Sequence, residues 1–402
     1  MFSLQTKRSM LKAILTKDSP FYVQFYVSKY CNLSCRMCNI VQANADLTPF
    51  PPDKIELIAD NLVRIGAGVV LLTGGEPFLR PDIDEIVRVF LSRRLNVRLQ
   101  TAGLYEKRDR IAKCVEHGAR DINVSLDSLD ERLSDHINGR PGSWRNAMRT
   151  ISFITRTFPG KDSICALGCV LSPYNVDEIE TVLDFATEIG WWLSLVPAHV
   201  APEGQTLNFR GHDAGFRFSP EDYPKLAQLI SRLKEKKRQG KLLFDSDEYL
   251  NSVYHFITTG SPSWRHDGVC DSPNLYFAIL PDGRFAPCCD FRIPETLYLY
   301  DPDFPRVYRS RPFRQQVRDV VSRCPGCNFG SFPEMTLSAR SPSTIVERVR
   351  LQLRAGSHRF PALGEEELFG IVDRLTASNP IYPRTIPPVC VADPPDPPAP
   401  SR

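Results

Sequence analysis

Between residues 21 and 200, short apolar runs alternate with helical patterns six times, and this alternation limits the fold more than any other feature of the chain. Strands are expected at 22–27, 69–73, 97–101, 121–125, 164–170 and 192–196. The first helix is expected after Pro52, where Ile55, Ile58, Leu62 and Ile65 recur at helical spacing and Gly66 follows as a stop. Further helices are expected at 82–94, 109–116, 145–157 and 176–189. Such β/α units in series imply parallel strands joined by right-handed crossovers, in an open doubly wound sheet or in an incomplete barrel. In either case the chemistry belongs at the C-terminal ends of the strands.

After residue 200 the alternation breaks, and Ser219 opens a long helix expected over 219–239, read as a connector. Between Cys270 and Cys327 a hairpin is expected around Pro281-Asp282-Gly283, where Pro fixes φ and Gly accepts a positive φ. The last stretch has nine prolines in 23 residues, too many for a packed core, and is expected to be disordered. The expected organisation is an N-terminal segment 1–20, a core domain 21–200, a helical connector 201–266, a small second domain 267–330, a helical extension 331–379 and a Pro-rich tail 380–402.

Composition removes several classes. With 402 residues, 42% hydrophobic and 24% charged, the chain has enough apolar surface for a large core and no run of the roughly 18 to 20 apolar residues that span a membrane. Basic and acidic side chains number 50 and 47, so bulk charge gives no reason to expect nucleic acid as a partner. Lys7, Arg8, Lys12 and Lys17 interrupt the apolar residues at the start, so no export signal is read. Seven of the twelve cysteines fall into metal-ligand spacings rather than a disulfide framework, which fits a reducing cytoplasm.

Directly after the first expected strand stands Cys31-Asn-Leu-Ser-Cys35-Arg-Met-Cys38. Three thiolates can hold a four-iron cluster and leave one iron open to an outside ligand, which implies chemistry and not electron storage alone. A zinc site would want a fourth protein ligand nearby, and Asn32, Ser34 and Asn39 are poor ones.

On this loop and the segments that follow, residues 21 to 200 resemble the radical S-adenosylmethionine (SAM) superfamily. The second expected strand ends in Thr73-Gly74-Gly75-Glu76-Pro77, similar to the family's GGEP, and the third in Gln100-Thr101-Ala102-Gly103, similar to TNG with Ala102 for Asn. The fourth ends in Ser125-Leu126-Asp127, similar to SLD. The resemblance implies a partial (β/α)6 TIM-like barrel in which Cys31, Cys35 and Cys38 hold a [4Fe–4S] cluster and Gly74, Gly75, Glu76 and Ser125 contact SAM. Asn138 stands where the family carries an arginine for the cofactor carboxylate, and Arg140 is its expected substitute.

A second set, Cys270, Cys288 with Cys289 beside it, and Cys324-Pro-Gly-Cys327, suits a closed four-thiolate site for zinc or a [4Fe–4S] cluster. Its spacing resembles the opening of the SPASM domain and, as a whole, the shorter twitch form. That resemblance implies a small C-terminal α+β domain with one auxiliary [4Fe–4S] cluster on Cys270, Cys288, Cys324 and Cys327. Cys288 is preferred to Cys289 because neighbouring side chains of a strand point to opposite faces.

The family implies reductive cleavage of SAM to a 5′-deoxyadenosyl radical that abstracts a substrate hydrogen, with electrons from a partner such as flavodoxin or ferredoxin. No acid–base catalytic residue is assigned. Only about twenty residues precede the first strand, fewer than a leader-binding domain needs, so a small molecule of specialised or cofactor biosynthesis is expected as substrate over a peptide or protein. A reading of another class is a non-catalytic iron–sulfur or zinc protein for electron transfer or scaffolding.

Overall fold

The computed structural model describes residues 4–202, 207–377 and 379–382. Strands β1 (Tyr22–Ser28), β2 (Val69–Gly74), β3 (Asn96–Thr101), β4 (Asp121–Ser125), β5 (Ile164–Leu171) and β6 (Trp192–Pro197) lie parallel in the order of the sequence. Each ends within one residue of its expected bounds. Helices α1 (Leu4–Thr16), α2 (Ile40–Ala43), α3 (Ile55–Ile65), α4 (Ile83–Ser92), α5 (Arg108–Glu116), α6 (Glu131–Asn138), α7 (Ser143–Thr157) and α8 (Ile179–Glu188) occupy this part of the chain. α1 has no counterpart among the expected elements, and its packing says why: Leu11 and Leu15 are exposed, while Thr6 and Ala13 are buried, so hydropathy carries little signal.

The expected hairpin forms. Gly283, at φ 86°, closes the turn between β7 (Tyr276–Ile279) and β8 (Phe285–Ala286). β7 pairs in parallel with β1, so one eight-stranded sheet runs β6-β5-β4-β3-β2-β1-β7-β8. The connector holds two helices, α9 (Tyr223–Arg238) and α10 (Asp247–Thr259), and the rest of the chain adds α11 (Phe304–Tyr308), α12 (Arg311–Val321), α13 (Ser331–Arg340), α14 (Pro342–Ser357) and α15 (Glu365–Ala377). Residues 383–402, with most of the Pro-rich tail and Cys390, lie outside the described residues.

Strand side chains alternate between two cores. Val23, Phe25, Val70, Leu72, Val97, Leu99, Ile122 and Val124 pack outward against Ile58, Leu62, Ile86, Phe90 and Ile151 of the helices. Full burial of each such side chain contributes about 1.5–3 kcal/mol. Tyr22, Tyr26, Val69 and Leu71 face the other way, into a second core with Tyr276, Ala278, Cys289, Cys327, Phe329 and Phe332. Cys270, Cys288 and Cys327 of the second cysteine set thus join the core on the inner face of β1 and β2.

Candidate functional site: two thiol sets on one sheet

A register shift between Tyr26 and Ser28 ends β1, so that Ser28 pairs with Gly74 and the chain swings into the cysteine loop. The loop is gripped from three sides. Gly75 N–H donates to the Ser28 carbonyl (2.9 Å) and Glu76 N–H to the Tyr30 carbonyl (2.7 Å). A Cβ would lie 2.4 Å from the Ser28 oxygen at Gly74 and 2.1 Å from the Tyr30 oxygen at Gly75, so no other residue type fits either place. The end of α6 takes the second side: Ser34 N–H donates to the Asn138 carbonyl (3.1 Å) and Arg36 N–H to the Ile137 carbonyl (3.2 Å). The third side is segment 209–211, where Asn39 N–H reaches the Phe209 carbonyl and Gly211 N–H the Met37 carbonyl, both at 3.1 Å.

Each residue that the motifs mark as an expected SAM contact has a defined place. Glu76 is fully buried, and its carboxylate accepts from Ala102 N–H (2.8 Å), Phe78 N–H (3.0 Å) and the Thr101 hydroxyl (3.0 Å), tying the ends of β2 and β3 together. Desolvation raises it to about 7. Ser125 ends β4 half-buried, opposite Gly168 of β5. Asn138 turns toward the loop: its Oδ1 accepts from the Cys35 thiol (3.6 Å) and its Nδ2 donates to Ser143 (3.1 Å). Arg140 is exposed and donates to the Asn32 carbonyl (2.5 Å), bracing the loop from outside. Asp127 accepts from Val170 N–H (2.7 Å), while Asp130 caps α6 through Leu133 N–H (3.0 Å).

Burial pushes the Cys31 thiol up to about 12, and the Cys35 and Cys38 thiols are raised for the same reason. The charged groups acting on Cys31 and Cys35 are other thiols with the carboxylates Glu76 and Asp127, all of which raise them further. Such a donor set is unfavourable as free thiolates and fits a cationic iron centre, which ligating thiolates require.

In the second set, burial raises Cys270 to about 12. The electrostatic neighbours of Cys270 include Cys288 and Cys324, and those of Cys327 include Cys324 and Cys288. Cys288 and Cys324 thus each neighbour both Cys270 and Cys327, and Cys289 also lies near Cys327. The Cys289 thiol donates to Cys288, lowering Cys288 and raising itself. Among the described residues no three His, Cys, Asp or Glu side chains converge as a single metal ion would require. Sequence reading passed over the arginines of this site. Arg265 donates to the Cys324 sulfur (3.1 Å) and carbonyl (3.1 Å), and Arg210 is buried against Asp290 (2.8 Å) and the Gly326 carbonyl (2.5 Å). Arg265 and Arg292 lie within a few residues of a cysteine, a weak signal, whereas nothing local marks Arg210.

Among the described residues, the cysteines outside both sets are packing. Cys114, Cys165 and Cys169 are buried in the outer core, Cys169 donating to the Asp127 carbonyl (3.8 Å). Trp191 and Trp192 are buried against Phe360 and His358.

The Radical SAM superfamily description matches residues 25–186, the stretch that carries the loop and its clasp. The Probable GTP 3′,8-cyclase of Pyrococcus horikoshii is 31% identical over 53% of this chain and 67% of its own length. The chain belongs to the radical SAM superfamily. It is accordingly an enzyme of the type that binds a [4Fe–4S] cluster and SAM, and the non-catalytic reading falls. The mycofactocin maturase MftC of Mycobacterium ulcerans is 24% identical over 77% of the chain and 80% of its own length. Several other relatives are matched over less than two thirds of their length, at 63%, 34% and 59%. Among solved structures, Streptococcus suis SuiB bound to precursor peptide SuiA superposes with a TM-score of 0.58 at 18% identity, covering 78% of this chain and 70% of that one. This radical SAM fold is the partial barrel expected, and among the described residues no helix is long and apolar enough to cross a membrane.

Proposed function

We propose that this radical SAM enzyme modifies a peptide or protein. One observation carries the reading: comparisons that extend over about three quarters of the chain, 77% and 78%, are with a maturase and with an enzyme solved on its precursor peptide, whereas the matches to an AdoMet-dependent heme synthase and to the cyclase span 57% and 53%. The expected preference for a small molecule is not kept.

In this proposal Cys31, Cys35 and Cys38 ligate the catalytic cluster, and Cys270, Cys288, Cys324 and Cys327 an auxiliary [4Fe–4S] cluster. Gly74, Gly75, Glu76, Ser125 and Asn138 form the SAM-facing wall, and Arg140, expected to join them, braces the loop from outside. The core spans 21–200 and the auxiliary segment 267–330. When bound and reduced, the first cluster supplies the electron that cleaves SAM to methionine and a 5′-deoxyadenosyl radical, which takes a hydrogen atom from the substrate. The chain's own contribution is shape. Glu76 fixes the ends of β2 and β3, the glycine clasp fixes the loop, and the inner face of the sheet excludes water from the C–H bond. A reducing partner such as flavodoxin or ferredoxin and a cytoplasmic setting complete the reading.

The test is anaerobic. Reconstituted enzyme with dithionite and SAM should release 5′-deoxyadenosine, and the Cys31→Ala/Cys35→Ala/Cys38→Ala variant should not. Incubation with size-fractionated extract of deuterium-grown cells then locates the substrate. Deuterium reaching 5′-deoxyadenosine from the peptide fraction supports the proposal, and deuterium from the small-molecule fraction alone overturns it.

A further inference from the structure

The two thiol sets differ in the charged groups beside them: carboxylates at the first, and guanidiniums together with Asp290 at the second. Around Cys31, Cys35 and Cys38 the charges that act are the carboxylates Glu76 and Asp127. Of the nearby guanidiniums, Arg36 pairs with Asp213 (2.7 Å), and Arg140 is exposed and donates to the Asn32 carbonyl (2.5 Å). Around the second set three guanidiniums lie close, and one of them, Arg265, contacts a thiol directly. Arg265 touches the Cys324 sulfur at 3.1 Å and also acts on Cys270. Arg210 acts on Cys324 and Cys327. Arg292 donates to the Cys288 (3.4 Å) and Cys289 (3.0 Å) carbonyls and is 3.3 Å from the Asn44 Oδ1. Two carboxylates lie close by. Asp290 is held by Arg210, and Asp271 by Arg340 (2.6 Å) and Thr336 (2.9 Å).

We propose that Arg265, with Arg210 and Arg292, sets the reduction potential of the auxiliary cluster and holds it above that of the SAM-binding cluster. The inference rests on the four-thiol assignment made above. Reducing an iron–sulfur cluster adds one negative charge, and the cost of that charge depends on hydrogen bonds to the sulfurs and on the net charge nearby. A guanidinium donating straight to a ligand sulfur favours the reduced form through both. Carboxylates beside the first set disfavour it there. Arg265 is thus a positioning and tuning residue, and it contacts neither SAM nor the reacting C–H bond.

The experiment is a redox titration of the reconstituted full-length holoenzyme followed by electron paramagnetic resonance, with midpoints read for both clusters. Wild type should show the second cluster at the higher potential. Arg265→Gln and Arg292→Gln should shift it downward and leave the first cluster in place, while Arg265→Lys, which keeps the charge, should shift it less. A second-cluster midpoint unmoved in Arg265→Gln, with iron content retained, overturns the inference. If Arg265→Gln loses the cluster, Arg292→Gln decides by the same criterion. Failure of the assignment itself looks different: Cys270→Ala would then match wild type in iron content and spectrum.

Discussion

The Cα of Gly75 stands so close to the carbonyl of Tyr30 that a methyl group on it would sit 2.1 Å from the oxygen. Tyr30 directly precedes the first cysteine of the loop, so Gly75→Ala pushes on the cluster site itself. The overpacking should cost about 1–3 kcal/mol. Displacing the loop should lower 5′-deoxyadenosine formation about a hundredfold, since misplacement of about an ångström has that effect on reacting groups. Iron analysis with a product assay checks it, and near-normal values for both would mean that the clasp is dispensable.

That contact explains what the sequence could and could not reveal. The strands were legible as short continuous apolar runs, such as Val69 to Leu72, that are buried on both faces of the sheet. The motif glycines were legible too, but their reason was not: they admit the backbone of residues 28–31, a contact between segments more than forty residues apart. α1 escaped because its buried residues are small or polar, and α10 because it lies beyond the regular β/α series. Arg210 escaped for a third reason, since its partner Asp290 is eighty residues away and no spacing rule connects them.

Buried carboxylates give the stability a definite pH dependence, and Asp245 shows it away from the cysteines. Its oxygens accept from Leu195 N–H (2.6 Å) and the Ser194 hydroxyl (3.0 Å). Desolvation, with Glu334 adding repulsion and Arg348 opposing it, raises it from 3.8 to about 7. A raised carboxylate favours folding most below its unfolded value, and the contribution is lost as pH climbs through the folded value. Asp245→Asn can still accept from Leu195 N–H through its oxygen and donate to the Ser194 hydroxyl through its amide, without the charge. The variant should melt at a higher temperature than wild type above about pH 7 and show a flatter profile from about pH 5 to about pH 8. Parallel profiles for the two proteins would contradict this.

The Arg210–Asp290 pair is 4% and 2% exposed, and Asp290 also accepts from Phe209 N–H (3.1 Å). Removing one partner leaves a buried charge alone. Arg210→Met should therefore destabilise by about 3–5 kcal/mol, whereas adding Asp290→Leu should recover a large part of the loss. Thermal midpoints of the single and double variants decide it, and simple additivity would show that the two side chains do not act as a pair.

The adjacent thiols Cys288 and Cys289 provide the sharpest test of the auxiliary site. Cys288 is half-buried and neighbours Cys270, Cys324 and Cys327, while Cys289 is 5% exposed and packs in the second core with Phe329. Cys288→Ala should lose the second cluster's iron and its resonance signal. Cys289→Ala should keep both and show the ordinary cost of a small cavity, about 1 kcal/mol. It also removes the hydrogen bond that lowers Cys288, so cluster assembly should become more dependent on pH without falling in final yield. The reverse pattern, with iron lost from Cys289→Ala and retained in Cys288→Ala, would move the fourth ligand by one residue and leave Cys288 as the packing thiol.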